Sequence, residues 1–344
     1  MSTDISQFDY SLPEGFIAQS PAEPRESGRL MRVSKENNAL GHLHIKDLPS
    51  LLHPLDVLVI NNTKVFKARL SGICNDKMQS RVELFLVRPL TGSIWQAIGK
   101  PWKRFTVGTT ISIADDFVAT IRSKEKDGTL NISFGKKPQE VIRLADMFGS
   151  IPLPPYIKHP THPESYQTSY AKVVGSVAAP TAGFHLTQNL LETIKKKGVT
   201  ICEITLHVGL GTFKPVKTKT IEEHVMHSEW VSISEKTAKT IRQAKQENRR
   251  IIAIGTTSVR TLEGVAALHD GLLKAYEGDV NIFITPGFRF NIVDGMLTNF
   301  HLPKSTLIIL VSAFAGRDKI LRAYAEAIRN KYRFYSFGDA MFIF

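Results

Sequence analysis

The chain has 344 residues, 42% of them hydrophobic and 22% charged, so it is long enough for more than one domain and too apolar for wholesale disorder. Its 44 Lys and Arg against 32 Asp and Glu give a net charge of +12, which favours an anionic partner, with nucleic acid first and a small anionic substrate as the alternative. No apolar run has the length of a membrane span, the first residues show no secretory signal, and two cysteines are too few for a disulfide framework, so we expect a cytoplasmic protein.

The first half of the chain is predicted to contain a small all-β unit. Residues 55–62 have the pattern of a buried strand that ends in two asparagines. Residues 64–134 alternate short β-branched runs with Gly, Asp and Lys turns, which is typical of a small β-barrel. Residues 139–148 predict a short helix, and the proline-crowded stretch 151–170 predicts an extended loop.

The second half alternates between helical and strand patterns. Helices are expected at 188–198, 234–250, 256–269, 305–315 and 317–331, and strands at 199–206, 251–255 and 280–285. Strands that alternate with helices predict a sheet with helices packed on it. The fold class is therefore α/β: a discontinuous α/β domain of residues 1–62 and 151–344, in which a sheet is flanked by helices, with residues 63–150 inserted as a small β-barrel domain.

A possible metal site is suggested by three residues in "HVMHSEW". His224 and His227 would share one face of a helix, and Glu229 follows closely, which would suit a metal-dependent hydrolase. A zinc site needs three or four ligands, yet the chain has no Cys cluster and no His-Glu-x-x-His pattern. We expect no metal and keep the hydrolase as an alternative.

A histidine and two glycines follow a predicted strand in "TLHVGLGTFK". Lys214 stands where a dinucleotide-binding fingerprint has its third glycine, so a nicotinamide or flavin site is disfavoured. Glycine still lets the backbone approach a ligand closely. We count His207, Gly209, Gly211 and Thr212 as candidate site residues, and a tight turn after the strand remains the alternative.

A strand in "IIAIGTTSVRTLE" leads directly into a helix. The N–H groups at a helix N-terminus are free to bind carboxylates, phosphates or ribose oxygens. Gly255, Thr256, Thr257 and Arg260 are therefore candidate ligand contacts. The alternative is ordinary N-capping by one of the two threonines.

Two further polar motifs lie in "APTAGFHL" and "TNFHLPKS". His185 in the first motif, and Asn299 and His301 in the second, could serve a site or could be hydrogen-bonded core residues. Ser305 is placed to cap the helix that follows.

Basic residues form the candidate nucleic-acid contacts. Lys64, Lys67 and Arg69 follow the first predicted strand, and Lys214 and Lys217 follow the glycine motif. The alternative is a solvated basic strand and loop.

Taken in order along residues 8–344, the motifs of this chain closely resemble the S-adenosylmethionine:tRNA ribosyltransferase-isomerase family of queuosine biosynthesis. The motifs are "AEPRESGRLM", "LVINNTKVFKARL", "PLPPYI", "YQTSYA", "VAAPTAGFHLT", "TLHVGLGTFKPV", "HVMHSEW", "GTTSVRTLE", "TNFHLPKSTLIILVSAFAG" and "YRFYSFGDAMFI". Phe184 and Leu186 are exchanged relative to the family pattern, and we expect the core to repack around them because volume is conserved.

The resemblance implies an α/β domain split by an inserted β-barrel. It implies that S-adenosylmethionine is a consumed ribosyl donor and that there is no other cofactor. The implied acceptor is 7-aminomethyl-7-deazaguanine at the wobble position of a tRNA anticodon, and the implied product is epoxyqueuosine-tRNA with release of adenine and methionine. We further expect a monomer, without a membrane partner.

The implied chemistry needs a proton acceptor. The sulfonium acidifies the adjacent ribose hydrogens, so a general base can start the reaction without a metal, and a base with a pKa near neutrality, a histidine or a carboxylate with a raised pKa, is expected. The candidates for this group are His185, His207, His227, Glu229 and His301. A non-catalytic tRNA-binding module remains the second alternative, since it would also explain the charge.

Overall fold

The structure is a computed structural model that describes residues 3–75, 78–154, 156–158, 163–209, 216 and 218–344. The chain forms two compact units. The larger contains residues 1–63, 154–173 and 180–344, and the smaller contains residues 64–153 and 174–179. The domain limits drawn from the sequence, 1–62 with 151–344 and 63–150, remain predictions.

The larger unit is built on a nine-stranded sheet. In spatial order its strands are β15 (Tyr276–Val280), β13 (Glu229–Ile233), β12 (Thr200–Leu206), β3 (Val57–Asn61), β14 (Ile251–Ile254), β16 (Gly295–Asn299), β17 (Ala340–Ile343), β1 (Arg29–Val33) and β2 (Leu40–His44). The four central strands β12, β3, β14 and β16 run parallel, whereas β13 and β17 are antiparallel to their central neighbours. All residues of β3 and β14 are buried, as expected for parallel strands that are covered on both faces.

Helices cover this sheet. They are α1 (Leu48–Leu51), α3 (Gln188–Lys196), α4 (Glu235–Gln246), α5 (Gly255–Ala267), α6 (Thr306–Ala315) and α7 (Arg317–Arg329), and α2 (Pro138–Phe148) belongs to the smaller unit. Leu190, Leu191 and Ile194 of α3 pack into one core with the sheet residues Leu58 and Ile252. Within the described residues, no helix combines the length and apolar character needed to cross a membrane.

Side-chain hydroxyls cap the N-termini of three of these helices. Thr187 accepts the backbone N–H of Leu190 at the start of α3, and Ser305 accepts that of Ile308 at the start of α6. Ser234 does the same for α4. The cap expected at Ser305 is confirmed, because a short hydroxyl side chain satisfies a donor that has no partner inside the helix.

The smaller unit is a closed six-stranded antiparallel barrel. Its strands, in spatial order, are β10 (Leu130–Ser133), β7 (Ile94–Lys100), β6 (Arg81–Pro89), β5 (Arg69–Cys74), β8 (Thr110–Ala114) and β9 (Phe117–Lys124), and two shorter strands, β4 (Thr63–Val65) and β11 (Val173–Ser176), pair with each other. Burial alternates along β6 and β7, so every second side chain fills the barrel interior. Val141 and Ala145 of α2 join this core. The predicted fold class, an α/β sheet flanked by helices together with a β-barrel, is confirmed.

Two elements differ from the sequence prediction. The strand expected at 280–285 lies earlier, at Tyr276–Val280. Val280 pairs with Glu229, which is the first residue of β13, so the chain beyond Val280 has no partner strand there. The prediction of a helix that carries His224 and His227 is wrong, because residues 224–228 are not helical.

Candidate active site

One edge of the large sheet collects most of the predicted site residues. The carboxyl ends of the four parallel strands face this edge, and ligands of α/β sheets bind at such an edge. His207 follows β12, Gly255 follows β14, and Asn299 ends β16. Glu229 lies at the same edge because β13 runs antiparallel to β12 and begins there.

Glu229 and Arg260 form a buried ion pair at this edge. Their side chains are 4% and 7% exposed, and an Arg260 guanidinium N–H donates a short hydrogen bond to Glu229 Oε2. The backbone N–H of Gly209 lies 3.3 Å from Glu229 Oε1. The sequence placed Arg260 against the ligand and Glu229 among the proton-transfer groups, and the structure brings the two together with Gly209.

His207 is fixed by two residues that the sequence prediction missed. Its Nδ1 lies 2.8 Å from the Thr63 hydroxyl, and its ring stacks on Trp230 with ring centres 4.8 Å apart. Among the described residues Nε2 has no hydrogen-bond partner. Burial lowers the pKa of His207 to about 4, so the imidazole is neutral at pH 7. Finding Thr63 required the register of β12 against β3, and finding Trp230 required that of β12 against β13; sequence periodicity provides neither.

The start of α5 lies directly at the end of β14. Gly255 has φ +82°, a conformation that side-chain-bearing residues rarely adopt, and this turns the chain from strand into helix within one residue. Ile254 is the N-cap residue and makes no side-chain cap. The alternative of N-capping by Thr256 or Thr257 is therefore wrong, because both threonines already lie in the first helical turn.

His185 and Asn299 meet although they come from separate motifs. His185 Nε2 lies 3.3 Å from Asn299 Nδ2, and the same amide nitrogen donates to the Tyr335 carbonyl at 3.0 Å. Burial, with smaller contributions from Arg333 and Arg25, lowers the pKa of His185 to about 3. His185 is therefore a neutral hydrogen-bonding group at the end of the 3₁₀ helix Thr181–His185.

His301 makes hydrogen bonds through one ring nitrogen and through both of its backbone polar groups. Its Nε2 lies 3.0 Å from the Thr298 hydroxyl, its backbone N–H donates to the Tyr324 hydroxyl at 2.9 Å, and its carbonyl accepts the Tyr10 hydroxyl. Burial lowers its pKa to about 3. This pattern fits the core alternative for His301 better than a catalytic role.

The metal hypothesis finds no support in the geometry of its residues. His227 is exposed, His224 packs edge-on against Phe283, and Glu229 is paired with Arg260. No three His, Cys, Asp or Glu side chains of the described residues come together as metal ligands.

The remaining candidates lie elsewhere. Gly211, Thr212, Lys214 and Lys217 fall outside the residues that the structure describes. In the barrel unit Lys64 is exposed and Lys67 is half-buried. Arg69 Nε lies 3.8 Å from Glu83 Oε1 on the neighbouring strand, which makes Arg69 less suited to a phosphate contact.

Comparison with known proteins gives one consistent result. A model of the family described as queuosine biosynthesis protein matches residues 5–343. A crystal structure of an S-adenosylmethionine tRNA ribosyltransferase from Thermotoga maritima is 36% identical, covers 98% of this chain and 100% of its own, and superposes with a TM-score of 0.58. The identity over nearly the whole length and the matching family model agree with the motifs along the chain. The chain belongs to the queuosine biosynthesis protein family.

Proposed function

We infer that this chain is an S-adenosylmethionine:tRNA ribosyltransferase-isomerase. It moves the ribosyl group of S-adenosylmethionine onto 7-aminomethyl-7-deazaguanine at the wobble position of tRNA and isomerises it, which gives epoxyqueuosine-tRNA. The family and the Thermotoga maritima relative support this activity. Neither a metal-dependent hydrolase nor a non-catalytic binding module is favoured, since the family acts in the synthesis of a modified nucleoside.

The observation that carries the site assignment is a set of buried polar atoms without partners. Thr257 Oγ1, Asn299 Oδ1 and Arg260 Nε are buried and have no hydrogen-bond partner among the residues that the structure describes. All three belong to candidate residues at the carboxyl edge of the large sheet. Buried polar groups in folded proteins are nearly always hydrogen-bonded, so these atoms are suited to a polar ligand.

S-adenosylmethionine can supply hydrogen-bond partners for these buried polar atoms. The first-turn N–H groups of α5 carry partial positive charge and suit the ribose oxygens. Thr257 and Asn299 add a hydroxyl and an amide oxygen that can donate to or accept from ribose or adenine. Arg260 acts mainly through Glu229, whose carboxylate it holds in place.

His207 is our choice for the proton acceptor among the five candidates. Burial alone lowers the pKa of His207, whereas His185 also lies near Arg333 and Arg25, whose positive charges oppose protonation of its ring. Its Nε2 has no hydrogen-bond partner among the described residues. The Glu229 carboxylate, on the neighbouring strand, accepts the backbone N–H of Gly209, which lies two residues after His207 in the chain. His207 would remove a proton next to the sulfonium, and adenine would leave with a proton. The neutral amine of the modified base would bond to the ribosyl carbon and lose a proton, and closure of the epoxide-bearing ring would expel methionine.

The barrel unit is the proposed docking surface for tRNA. Residues 64–153 hold 15 Lys and Arg against 8 Asp and Glu, so this quarter of the chain carries +7 of the net +12. Lys64 and Lys67 are the phosphate contacts that the geometry favours. Changing Lys64 to Gln should reduce the slope of log affinity against log salt by roughly 0.7–0.9, and an unchanged slope would remove Lys64 from the contact surface. Lys239→Gln, on the exposed side of α4, is the control.

The reaction is proposed to need no cofactor beyond S-adenosylmethionine, which is consumed. The protein is proposed to act in the cytoplasm as a monomer, with a solution mass by light scattering near 38.4 kDa. Twice that mass would refute the monomer. Turnover that is abolished by EDTA and restored by zinc would refute the metal-free reaction.

The activity is tested with purified protein, S-adenosylmethionine and tRNA that carries 7-aminomethyl-7-deazaguanine. Digestion of the tRNA to nucleosides and mass spectrometry should show epoxyqueuosine, with equal amounts of adenine and methionine released. Formation of S-adenosylhomocysteine, or release of adenine without a change in the tRNA, would contradict the proposed activity.

A further inference from the structure

A cavity opens beside His185 in the larger unit. It is small and open to solvent, and it is lined by Arg25, Phe184, His185, Arg333, Ser336 and Phe337, among others. A cavity of this kind can contact one end of a larger molecule but does not enclose the whole of it.

Arg25 gives this cavity a fixed positive charge. Its guanidinium donates to the backbone carbonyls of Ser165 at 2.9 Å, Gln167 at 3.2 Å and Phe184 at 3.3 Å, and it lies over the Phe184 ring. These contacts hold the group in one orientation but leave its charge uncompensated, since no carboxylate of the described residues lies within 4 Å of it. Burial lowers the pKa of Arg25, because the charged guanidinium loses favourable hydration there.

Arg333 adds a second guanidinium with only partial compensation. Its nearest carboxylate is Asp339, at 3.6 Å. Asp339 is itself buried and accepts the backbone N–H groups of Arg29 at 2.9 Å and Arg333 at 2.8 Å. Two cations therefore face the cavity against one carboxylate that is already hydrogen-bonded, and the net charge is positive.

The rest of the lining is polar but neutral, or aromatic. His185 is neutral, and the Ser336 hydroxyl shares a 2.5 Å hydrogen bond with the Tyr156 hydroxyl. The rings of Phe184 and Phe337 stack with their centres 5.6 Å apart. Two guanidiniums beside aromatic rings are suited to a carboxylate, which can accept charge-assisted hydrogen bonds from both.

The cavity is joined to the start of α5 by one short helix. A Cβ placed on Gly255 would lie 3.4 Å from Ala182, and Ala182 and His185 belong to the same 3₁₀ helix. At about 2 Å of rise per residue, His185 lies roughly 6 Å farther along. His185 in turn contacts Asn299, one of the residues with an unpartnered buried oxygen.

We propose that this cavity binds the α-carboxylate of the methionine part of S-adenosylmethionine, while the start of α5 receives its ribose. The proposal rests on the proposed function, since it assigns one end of that substrate. Arg333 is the carboxylate-binding residue that can be changed most safely, because its side chain is 37% exposed, and Arg25 is the fixed partner.

The test compares two ligands that differ only in the carboxylate. Calorimetry measures the affinity of the full chain for S-adenosylmethionine and for decarboxylated S-adenosylmethionine, which keeps the sulfonium and the amine. The wild type should prefer the carboxylated form by about 10- to 100-fold, the expected effect of a hydrogen bond to a charged group. Arg333→Gln should lose most of this preference and keep its affinity for the decarboxylated form, and Arg333→Lys should be intermediate.

Arg317→Gln is the matched control, because Arg317 is an exposed arginine paired with Asp318 outside the cavity, and it should behave as the wild type. Equal affinity of the wild type for both ligands would overturn the cavity assignment and leave the proposed function standing. A preference that survives in Arg333→Gln, or a loss of tRNA affinity without a loss of S-adenosylmethionine affinity, would also overturn it. A wild type that binds neither ligand would overturn the proposed function and the cavity assignment together.

Discussion

Glu229 and Arg260 lie 31 residues apart in the chain and form a buried ion pair that joins the first residue of β13 to the first turns of α5. Both elements meet the carboxyl edge of the large sheet. The pair therefore fixes the position of the helix start relative to the strand that carries Glu229, and this is the region where we place S-adenosylmethionine.

Removing one member of this pair should be costly. Arg260→Gln leaves the Glu229 carboxylate buried without its partner, and such a loss typically costs about 3–5 kcal/mol of unfolding free energy. Urea unfolding measures the effect. Arg242→Gln is the control, because its ion pair with Glu235 is exposed and should contribute less than about 1 kcal/mol. If Arg260→Gln were as mild as the control, the pair would not organise this edge.

His207→Gln should lower turnover far more than stability. Removal of a general base typically costs about 10²–10⁴-fold in rate, whereas Gln can keep a hydrogen bond to Thr63. Single-turnover kinetics and the melting temperature should be measured on the same samples. His42→Gln, at a half-exposed site on β2, is the control. Near-normal turnover of a folded His207→Gln protein would exclude His207 as the base.

The free energy of unfolding should fall in acid, because His301 binds a proton more readily in the unfolded chain than in the folded protein. The pKa of His301 is about 3 in the folded protein and near 6.5 in an unfolded chain, so between these values only the unfolded chain binds the proton. The stabilising contribution is complete above about pH 6.5 and is lost as the pH falls towards 3, by about 1.4 kcal/mol per pH unit. Unfolding free energies at several pH values between 6 and 4 should show a shallower pH dependence for His301→Gln than for the wild type. Equal slopes in the two proteins would contradict the buried, neutral state of His301.

Gly255→Ala should disturb the substrate site specifically. Gly255 has φ +82°, so alanine strains the backbone by roughly 1–2 kcal/mol and shifts the first turn of α5. Gly316→Ala is the matched control, because Gly316 has φ +93° with open space around it and separates α6 from α7. Both variants should lose similar stability in urea unfolding, but only Gly255→Ala should weaken S-adenosylmethionine binding. Equal binding by the two variants would place the ligand away from α5.

The sequence predicted those parts of the fold that depend on local pattern. The barrel strands alternate buried and exposed side chains, and the capping hydroxyls of α3 and α6 can be recognised directly. The order of strands in the large sheet could not be obtained in this way. Ile204 of β12 pairs with Asn61 of β3 although the sequence of the whole barrel lies between them in the chain. No local sequence pattern records such a pairing. The edge strand Leu40–His44 was not predicted, since glycine and histidine give it little strand propensity.

The candidate site also combines features that the sequence could predict with contacts that depend on tertiary packing. Its residue types and their places at strand ends were predicted, and the contact between His185 and Asn299 follows from the motifs meeting at one edge. The pairing of Glu229 with Arg260 and the support of His207 by Thr63 depend on tertiary packing. The roles predicted for Arg260 and His301 stay predictions, and the structure adds that Arg260 is paired with a carboxylate and that His301 is buried and hydrogen-bonded to Thr298.

The most direct test of the central claim follows two labels of S-adenosylmethionine into tRNA. One sample carries radiocarbon in the ribose and the other in the methyl group, and each is incubated with the purified protein and tRNA that holds 7-aminomethyl-7-deazaguanine. We expect the ribose label in the tRNA at up to one per molecule and the methyl label in free methionine, with no transfer to tRNA that has guanine at the wobble position. Methyl label in the tRNA, or ribose label that stays out of it, would contradict the assignment of this chain as a ribosyltransferase.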